Sequence, residues 1–263
     1  MNIESKKIEI DYCNQIFEID YFFRPGQKET IVYLHGLGCS KSDFFNAIEQ
    51  DSLKAYSLLS FDFPGHDGSN YPETIGMNDL VEITNKVLKK LDIQWVILIG
   101  HSMGGIVGLL FAMKYIEKVK AFINIEGNLI DEDCFFTRKI VEGGYEKFKS
   151  KTFRDFKQSL AKRDNTGARK YAENLKSVLP KSFWDYSESM VEITDDADLL
   201  QKFVSLKIPK LFIYGSENNK LSYIPKLKEN KIETSEIVDS NHFPQFDNPI
   251  MLYDVIFNFL KKI

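Results

Sequence analysis

Apolar and polar positions along the first half of the chain alternate between two kinds of segment. Short apolar runs typical of strands are followed by longer segments in which apolar residues recur at helical spacing. The predicted strands are Lys7–Tyr12, Gln15–Phe23, Thr30–Leu34, Ala55–Phe61, Trp95–Ile99 and Val119–Ile125. The predicted helices are Ser42–Gln50, Asn78–Leu91 and Met103–Tyr115. This alternation predicts βαβ units in an α/β fold, with a mostly parallel sheet covered on both faces.

The alternation stops after Glu126. From about residue 127 to 206 the chain shows helical patterns, many charged residues and many Phe and Tyr, with no convincing strand. Strand patterns return at Pro209–Tyr214 and Thr234–Val238, and an amphipathic helix follows at Pro249–Leu260. We therefore predict one core domain formed by residues 1–126 and 207–263, with residues 127–206 inserted as a helical cap subdomain.

Composition restricts the classes of function. The 263 residues are 43% hydrophobic and 27% charged, close to the average of globular proteins, and the net charge is −4. Because no basic face is evident, no nucleic-acid partner is expected. No secretory signal and no membrane-spanning run is visible, which predicts a cytoplasmic location. Cys13, Cys39 and Cys134 are odd in number and lack metal-type spacing, so reduced thiols are expected, with Cys39 either near the active site or structural.

The strongest chemical signal is the G-x-S-x-G motif formed by Gly100, His101, Ser102, Met103 and Gly104. It follows an apolar predicted strand and precedes an apolar predicted helix, which is the setting that a nucleophile elbow requires. A serine on such a sharp turn projects its hydroxyl from the edge of the sheet, and its neighbours two residues away must be small. Ser102 is therefore the predicted nucleophile.

A second loop, Leu34-His35-Gly36-Leu37-Gly38, follows an earlier predicted strand. Acyl transfer is helped by backbone N–H groups that are already aimed at the oxyanion. We expect the N–H groups of Leu37 and Met103 to form this oxyanion hole. The alternative is an ordinary turn between strand and helix.

The chain has four histidines, so the catalytic base can be sought by elimination. His35 belongs to the loop just described, His101 lies inside the elbow, and His66 stands in an early turn-rich loop. His242 follows the last predicted strand, which agrees with the chain order Ser, acid, His. His242 is the predicted base, and the alternative is a histidine that caps the last helix.

The acid has two candidates. After Pro209–Tyr214, the position at which an aspartate is expected holds Asn218, and the neighbouring carboxylate is Glu217. Glu126 ends the strand that follows the nucleophile helix, at the same edge of the sheet. A carboxylate there is costly to bury unless it is paired. We favour Glu126 over Glu217, and a helix-capping or salt-bridging role for Glu126 stays open.

Taken together, these features resemble the α/β-hydrolase superfamily over nearly the whole chain. The resemblance rests on the HG-x-G loop, the Asp62–Ser69 loop, the elbow, the inserted helices and His242. It implies an eight-stranded, mostly parallel sheet flanked by helices, with a helical cap between strands six and seven. Some haloalkane dehalogenases carry a catalytic glutamate at the end of strand six, which Glu126 matches. Their nucleophile is aspartate, so the serine here argues against dehalogenase activity.

The resulting prediction is a serine hydrolase, a carboxylesterase that forms an acyl-enzyme with a small or medium apolar ester. No metal or cofactor is expected, and the oligomeric state stays open. Six aromatic residues of the inserted region are candidates for lining the pocket: Phe135, Phe136, Tyr145, Phe183, Trp184 and Tyr186. The alternatives are carbon–carbon bond hydrolysis, thioester hydrolysis or a lyase step with the same triad, or a non-catalytic binding protein of this fold.

Overall fold

The computed structural model describes residues 4–263, and its central element is one eight-stranded sheet. The strands are β1 (Lys6–Tyr12), β2 (Gln15–Arg24), β3 (Lys28–Leu34), β4 (Tyr56–Phe61), β5 (Val96–His101), β6 (Val119–Ile125), β7 (Lys210–Gly215) and β8 (Glu233–Ile237). Their order is β1-β2-β4-β3-β5-β6-β7-β8. β2 runs antiparallel to β1 and β4, and every other pair is parallel. The predicted eight-stranded, mostly parallel sheet is confirmed.

Eleven α-helices accompany the sheet in the described part of the chain. They are α1 (Met77–Lys90), α2 (Met103–Lys114), α3 (Phe135–Glu142), α4 (Tyr145–Lys147), α5 (Phe153–Ala161), α6 (Thr166–Asn174), α7 (Pro180–Asp196), α8 (Leu199–Ser205), α9 (Ile224–Glu229), α10 (Pro244–Asp247) and α11 (Pro249–Leu260). Shorter 3₁₀ turns lie between them, and a π-helical turn at Phe148–Thr152 links α4 to α5. No described helix is long and apolar enough to cross a lipid bilayer.

The sheet is covered on both faces because its central strands bury side chains in both directions. In β5, Val96 and Leu98 join the hydrophobic core that includes α1 and α2, whereas Ile97 and Ile99 join the core that includes α11. Successive side chains of a strand point to opposite faces, so an unbroken apolar strand needs two cores. This is the physical reason why the apolar runs identified the central strands.

Residues 127–206 contain helices and no strand, and their apolar side chains extend the α1–α2 core above the carboxyl ends of the strands. Phe148, Phe153 and Phe183 pack ring against ring within this insertion, with centroids 5.2 to 5.7 Å apart. The proposed division of the chain into a core domain and a cap subdomain stays a prediction.

Two local expectations need correction. The segment predicted as a helix at Ser42–Gln50 is a 3₁₀ helix at Lys41–Glu49. Trp95 was predicted to begin a buried strand because its neighbours are apolar. It lies before β5 and is 57% exposed. Pairing of β5 with β3 begins at Val96. Apolar character alone does not show at which residue this pairing begins.

Asp43 connects this 3₁₀ helix to the inserted helices. Its side chain is buried, and Oδ1 accepts a hydrogen bond of 2.6 Å from Nδ2 of Asn174, at the end of α6. Oδ2 has no hydrogen-bond partner in the described structure. Burial, with a smaller contribution from the negative charge of Asp62, raises the pKa of Asp43 to about 7. The contact between core and insertion therefore involves a carboxyl group that resists ionisation.

This contact predicts a pH-dependent stability. Between about pH 4 and pH 7 the unfolded chain releases the Asp43 proton while the folded protein keeps it, so stability falls as the pH rises through this window. Asp43→Asn removes the effect. We expect the difference in unfolding free energy between wild type and variant to change by up to about 4 kcal/mol from pH 4 to pH 8.

Urea denaturation at both pH values measures this difference. Glu49→Gln is the matched control, because Glu49 is an exposed carboxylate on the same 3₁₀ helix. The prediction is wrong if Asp43→Asn and Glu49→Gln show the same dependence on pH.

Candidate active site

Ser102 lies on a strained turn between β5 and α2. Its φ and ψ of 52° and −121° are rarely adopted by a residue with a side chain. The turn is held in place because the Ser102 N–H donates to the Ile125 carbonyl at 3.0 Å, and the Ser102 carbonyl accepts from Gly105 N–H at 2.7 Å. Ser102 thereby stands at the carboxyl edge of the sheet and the amino end of α2, as expected of an elbow.

Close packing explains the glycines on either side of the serine. A Cβ atom on Gly100 would lie 2.3 Å from the Gly104 carbonyl oxygen, and one on Gly104 would lie 2.1 Å from the Leu34 carbonyl oxygen. Both separations are shorter than any contact that real Cβ atoms make. The G-x-S-x-G spacing therefore follows from the sharpness of the turn and from the approach of the backbone at Leu34.

Glu126 lies one strand away, immediately after β6. Its φ is 48°, which turns the chain sharply, and its N–H donates to the Ile213 carbonyl at 2.9 Å. The Asn124 side chain supports the turn by accepting a hydrogen bond of 2.6 Å from the Gly127 N–H. The Glu126 side chain thus reaches towards the ends of β7 and β8.

Glu126 and His242 are in direct contact. His242 Nδ1 lies 2.7 Å from Glu126 Oε2, and the Glu126 side chain is only 4% exposed while that of His242 is 38% exposed. Because a carboxylate only accepts hydrogen bonds, the His242 proton sits on Nδ1. Nε2 then carries the lone pair that a general base needs.

The loop after β7 holds the other side of the Glu126 carboxylate. Asn218 Nδ2 lies 3.0 and 2.8 Å from the two carboxylate oxygens, and the Gly215 N–H donates to Oε1 at 2.7 Å. Asn218 therefore contacts Glu126 rather than His242. The sequence pattern showed that Asn218 replaces an expected aspartate, but it did not predict the contact between Asn218 and Glu126.

Glu217 has a different partner. It accepts a hydrogen bond of 2.7 Å from Asn241 Nδ2, and Asn241 Oδ1 in turn accepts from the His242 N–H at 2.6 Å. Glu217 thus acts on the backbone of the His242 loop through Asn241. Of the two candidate acids, the structure brings only Glu126 to the imidazole of His242.

His101, the residue before Ser102, reaches across to the same loop. Its Nε2 lies 2.7 Å from the His242 carbonyl oxygen, and the two imidazole rings are 5.0 Å apart. Since a carbonyl accepts, Nε2 is the donor, and the buried Nδ1 has no partner in the described structure. Burial, and to a smaller degree His242, lowers the pKa of His101 to about 3. His101 is therefore a neutral link between the elbow and the His242 loop, which the sequence pattern did not indicate.

The loop proposed for the oxyanion hole runs beside Ser102. A Cβ on Gly36 would lie 3.1 Å from Ser102 Cβ, so the backbone of this loop directly flanks Ser102. Within residues 4–263, the N–H groups of Leu37 and Met103 donate to no protein acceptor. Two free donors on either side of a serine are what an oxyanion hole requires.

Two buried histidines fix the shape of this loop. His35 Nε2 accepts from the Phe63 N–H at 2.9 Å, and His66 Nε2 accepts from the Gly38 N–H at 3.1 Å. Burial lowers the pKa of both imidazoles, and that of His66 to about 4, so they remain neutral acceptors. In the described structure neither side chain forms a hydrogen bond with Ser102.

A cavity of about 610 Å³ contains Ser102, His242, Glu126 and Leu37 in its lining, but Met103 is not exposed in it. Ser102 and His242 share this cavity without a hydrogen bond between their side chains in the described structure. In ligand-free enzymes such catalytic hydrogen bonds are often long.

The apolar wall of the cavity differs in part from the expectation. Phe135 and Phe136 line it, together with Phe156, Leu160, Tyr171, Met190, Tyr223 and Phe243. Tyr145, Phe183, Trp184 and Tyr186 do not. Phe183 and Tyr186 are fully buried, and the Tyr145 ring packs against Trp184 at 5.5 Å. The two aromatic residues of α3 line the cavity and the three of α7 are buried elsewhere, a division that composition does not reveal.

Cys39 also lines the cavity, but burial raises the pKa of its thiol well above the ordinary value. The thiolate is the reactive form of cysteine, so the protonated thiol of Cys39 is a poor nucleophile. Among residues 4–263, no group of three or more His, Cys, Asp or Glu side chains is arranged to hold a metal ion.

Comparison with known proteins agrees with the fold. Residues 29–249 match the family described as alpha/beta hydrolase fold. The chain is 25% identical to the protein named "Putative esterase/lipase 2" of Mycoplasma pneumoniae, over 94% of this chain and 95% of the relative.

Solved structures share the fold. A carboxylesterase from the thaumarchaeon Nitrososphaera gargenis superposes with a TM-score of 0.80 and 19% identity, over 97% of this chain and 98% of that chain. A thermophilic esterase from Thermogutta terrifontis gives a TM-score of 0.79 and 18% identity, over 98% of both chains. The chain therefore belongs to the alpha/beta hydrolase fold family and is a hydrolase.

Proposed function

We propose that this protein is a serine carboxylesterase in which Ser102 is the nucleophile, His242 the base and Glu126 the acid. The observation that carries the proposal is the 2.7 Å contact between His242 Nδ1 and Glu126 Oε2, in a cavity that also exposes Ser102. The names of the relatives, esterase or lipase among them, agree with ester hydrolysis. No step of this chemistry needs a metal or cofactor.

Acylation begins when Ser102 Oγ attacks the ester carbonyl and His242 Nε2 takes the hydroxyl proton. The negative charge on the carbonyl oxygen accepts hydrogen bonds from the N–H groups of Leu37 and Met103. Glu126 stabilises the imidazolium that forms on His242. The imidazolium then protonates the leaving alkoxide, so the alcohol departs and the acyl group remains on Ser102.

Deacylation repeats these steps with water. His242 Nε2 removes a proton from a water molecule, which attacks the acyl carbonyl, and the same two N–H groups hold the oxyanion. The proton returns to Ser102 Oγ as the acyl bond breaks. The products are a carboxylic acid, an alcohol and the original enzyme.

The substrate is a small or medium ester with an apolar part. The cavity volume of about 610 Å³ lies within the range of small-molecule sites. Its walls are largely aromatic and aliphatic, so an apolar substituent of the ester gains free energy by leaving water. Larger polymeric esters do not fit within this volume.

Reactivity of Ser102 is the first test. We expect a fluorophosphonate probe to label wild type but not Ser102→Ala, and we expect Ser102→Ala to hydrolyse 4-nitrophenyl butanoate on the order of 10³-fold or more slowly. Ser177→Ala, which changes an exposed serine of the insertion, is the control and should behave as wild type.

Two other outcomes of the labelling and hydrolysis assays would distinguish the alternatives. Labelled protein that leaves aryl esters intact would favour carbon–carbon bond or thioester hydrolysis by the same residues. Folded protein that is not labelled would favour a non-catalytic binding role and overturn the proposal.

The identity of the acid is the second test. Glu126→Gln removes the negative charge beside His242 Nδ1, so we expect kcat/KM to fall on the order of 10³-fold to 10⁴-fold. Glu217→Gln is the matched control, because its amide oxygen still accepts from Asn241 Nδ2. Glu217→Gln should lower kcat/KM less than about tenfold. The reverse ranking, measured in variants with unchanged thermal midpoints, would assign the acid to Glu217.

His101 gives the third test. His101→Phe preserves an aromatic ring but removes the donor to the His242 carbonyl, a hydrogen bond worth roughly 1 kcal/mol. We expect kcat to fall roughly fivefold to tenfold, whereas the shape of the pH–rate profile stays the same because His101 is neutral throughout. A profile that shifts along the pH axis would show that His101 influences the charge of His242 instead.

A further inference from the structure

The cavity is bounded on one side by a continuous aromatic wall that begins at the base. The ring of Phe243 lies 5.2 Å from that of His242, Tyr171 lies 5.1 Å from Phe243, and Phe156 lies 5.9 Å from Tyr171. The four rings line the cavity. An extended apolar substituent attached to the reacting carbonyl can therefore follow these rings from His242 to α5.

At α5 the wall continues along one helix face. Phe156, Ser159, Leu160 and Arg163 recur at intervals of three and four residues, and all four line the cavity. The Arg163 N–H donates to the Leu160 carbonyl at 3.1 Å, which carries the turn beyond the end of α5. Seven residues along a helix correspond to about 10 Å, so Arg163 lies about two turns along the chain from Phe156.

In the described structure most basic side chains of this region have no carboxylate partner, and Arg163 is one of them. Arg154 pairs with Asp155, and Lys176 pairs with Glu173. Among residues 4–263, the guanidinium of Arg163 forms neither an ion pair nor a side-chain hydrogen bond. It is also the only Lys or Arg in the described lining of the cavity.

The surrounding segment has an unusual charge. Residues 147–170 contain nine Lys or Arg and two Asp, which gives a formal charge of +7 in a chain whose net charge is −4. A local excess of positive charge raises the concentration of anions nearby and strengthens their binding. Without Arg163 the segment still contains eight Lys or Arg and two Asp, a formal charge of +6 with the same sign.

Carboxylates in the cavity lining lie on another side. Glu132 and Asp133 also line a surface depression beside Glu217 and Lys220, at the loop between β7 and α9. Asp133 accepts from the Leu129 and Ile130 N–H groups, at 2.8 and 3.2 Å. The cavity is therefore acidic towards the β7–α9 loop and basic towards α5, so a charged ligand binds it in one orientation.

We propose that the preferred ester has an acyl chain that ends in a carboxylate, and that Arg163 binds this carboxylate while the chain lies along Phe243, Tyr171 and Phe156. Arg163 is then a specificity-determining residue. A guanidinium presents two parallel N–H donors to a carboxylate, which suits this role. The inference rests on the proposed esterase activity and names the substrate class of the same site.

The test compares two series of 4-nitrophenyl esters with equal acyl length. The neutral series is butanoate, hexanoate and octanoate, and the charged series is the monoesters of succinic, adipic and suberic acid. For each length we measure the ratio of kcat/KM for the charged ester to kcat/KM for the neutral ester. In wild type this ratio should pass through a maximum at the length that reaches Arg163, and it should fall with added salt.

The variants are Arg163→Gln and Lys162→Gln. Both remove one positive charge from adjacent exposed positions, but Lys162 does not line the cavity. At the best length, Arg163→Gln should lower the ratio roughly fivefold to tenfold, mainly through KM of the charged ester. Lys162→Gln should change the ratio less than about twofold. In Arg163→Lys the ratio should lie between those of Arg163→Gln and wild type, because lysine keeps the positive charge but lacks the two parallel N–H donors of the guanidinium.

Three results would overturn the proposal. The first is a ratio that is equal in wild type and Arg163→Gln at every length. The second is an equal loss in Lys162→Gln, which would mean that overall charge and not the cavity selects the substrate. The third is no hydrolysis of either series. Only this last result contradicts the proposed esterase function as well, since hydrolysis of the neutral series tests that function by itself.

Discussion

The arrangement of the site depends on how one buried carboxylate is satisfied. Glu126 is almost fully removed from water, and an unpaired charge in such a place costs several kcal/mol. Its oxygens are instead contacted by the imidazole of His242, the amide of Asn218 and the N–H of Gly215. Three segments far apart in sequence are thereby brought to one point at the carboxyl edge of the sheet.

This requirement explains several local features at once. Ser102 and Glu126 both have positive φ, and both follow neighbouring parallel strands, β5 and β6. Each sharp turn stops its strand at the same level and aims the side chain across the edge. The backbone strain at both residues is balanced by hydrogen bonds to adjacent strands, from the Ser102 N–H to Ile125 and from the Glu126 N–H to Ile213.

Much of the fold could be predicted because burial on two faces leaves unbroken apolar strands. The bounds of β6 at Val119–Ile125 and of α11 at Pro249–Leu260 agree with the pattern residue for residue. The elbow was predictable because its glycines are required by contacts as short as 2.1 Å. The local part of the site can therefore be predicted from residues that are adjacent in the sequence.

Long-range partners could not be predicted in the same way. Glu126 and Glu217 are both chemically suitable as the acid. Only the three-dimensional positions of the loops after β6, β7 and β8 decide which of them reaches the imidazole of His242. The same holds for the link from His101 to the His242 carbonyl, and for the division of Phe136 and Phe183 between cavity and core. These relations depend on helix rotation and loop paths, for which the chain has no short-range signal.

The contact between Glu126 and His242 joins residues 116 positions apart in the sequence. During synthesis the elbow, the Leu37 loop and Glu126 leave the ribosome well before His242 does. Until β8 and its following loop have been added, Ser102 lacks its proposed base and Glu126 lacks its imidazole partner. In the proposed mechanism the growing chain therefore lacks its base, and esterase activity arises only in one late step, together with the completion of the sheet.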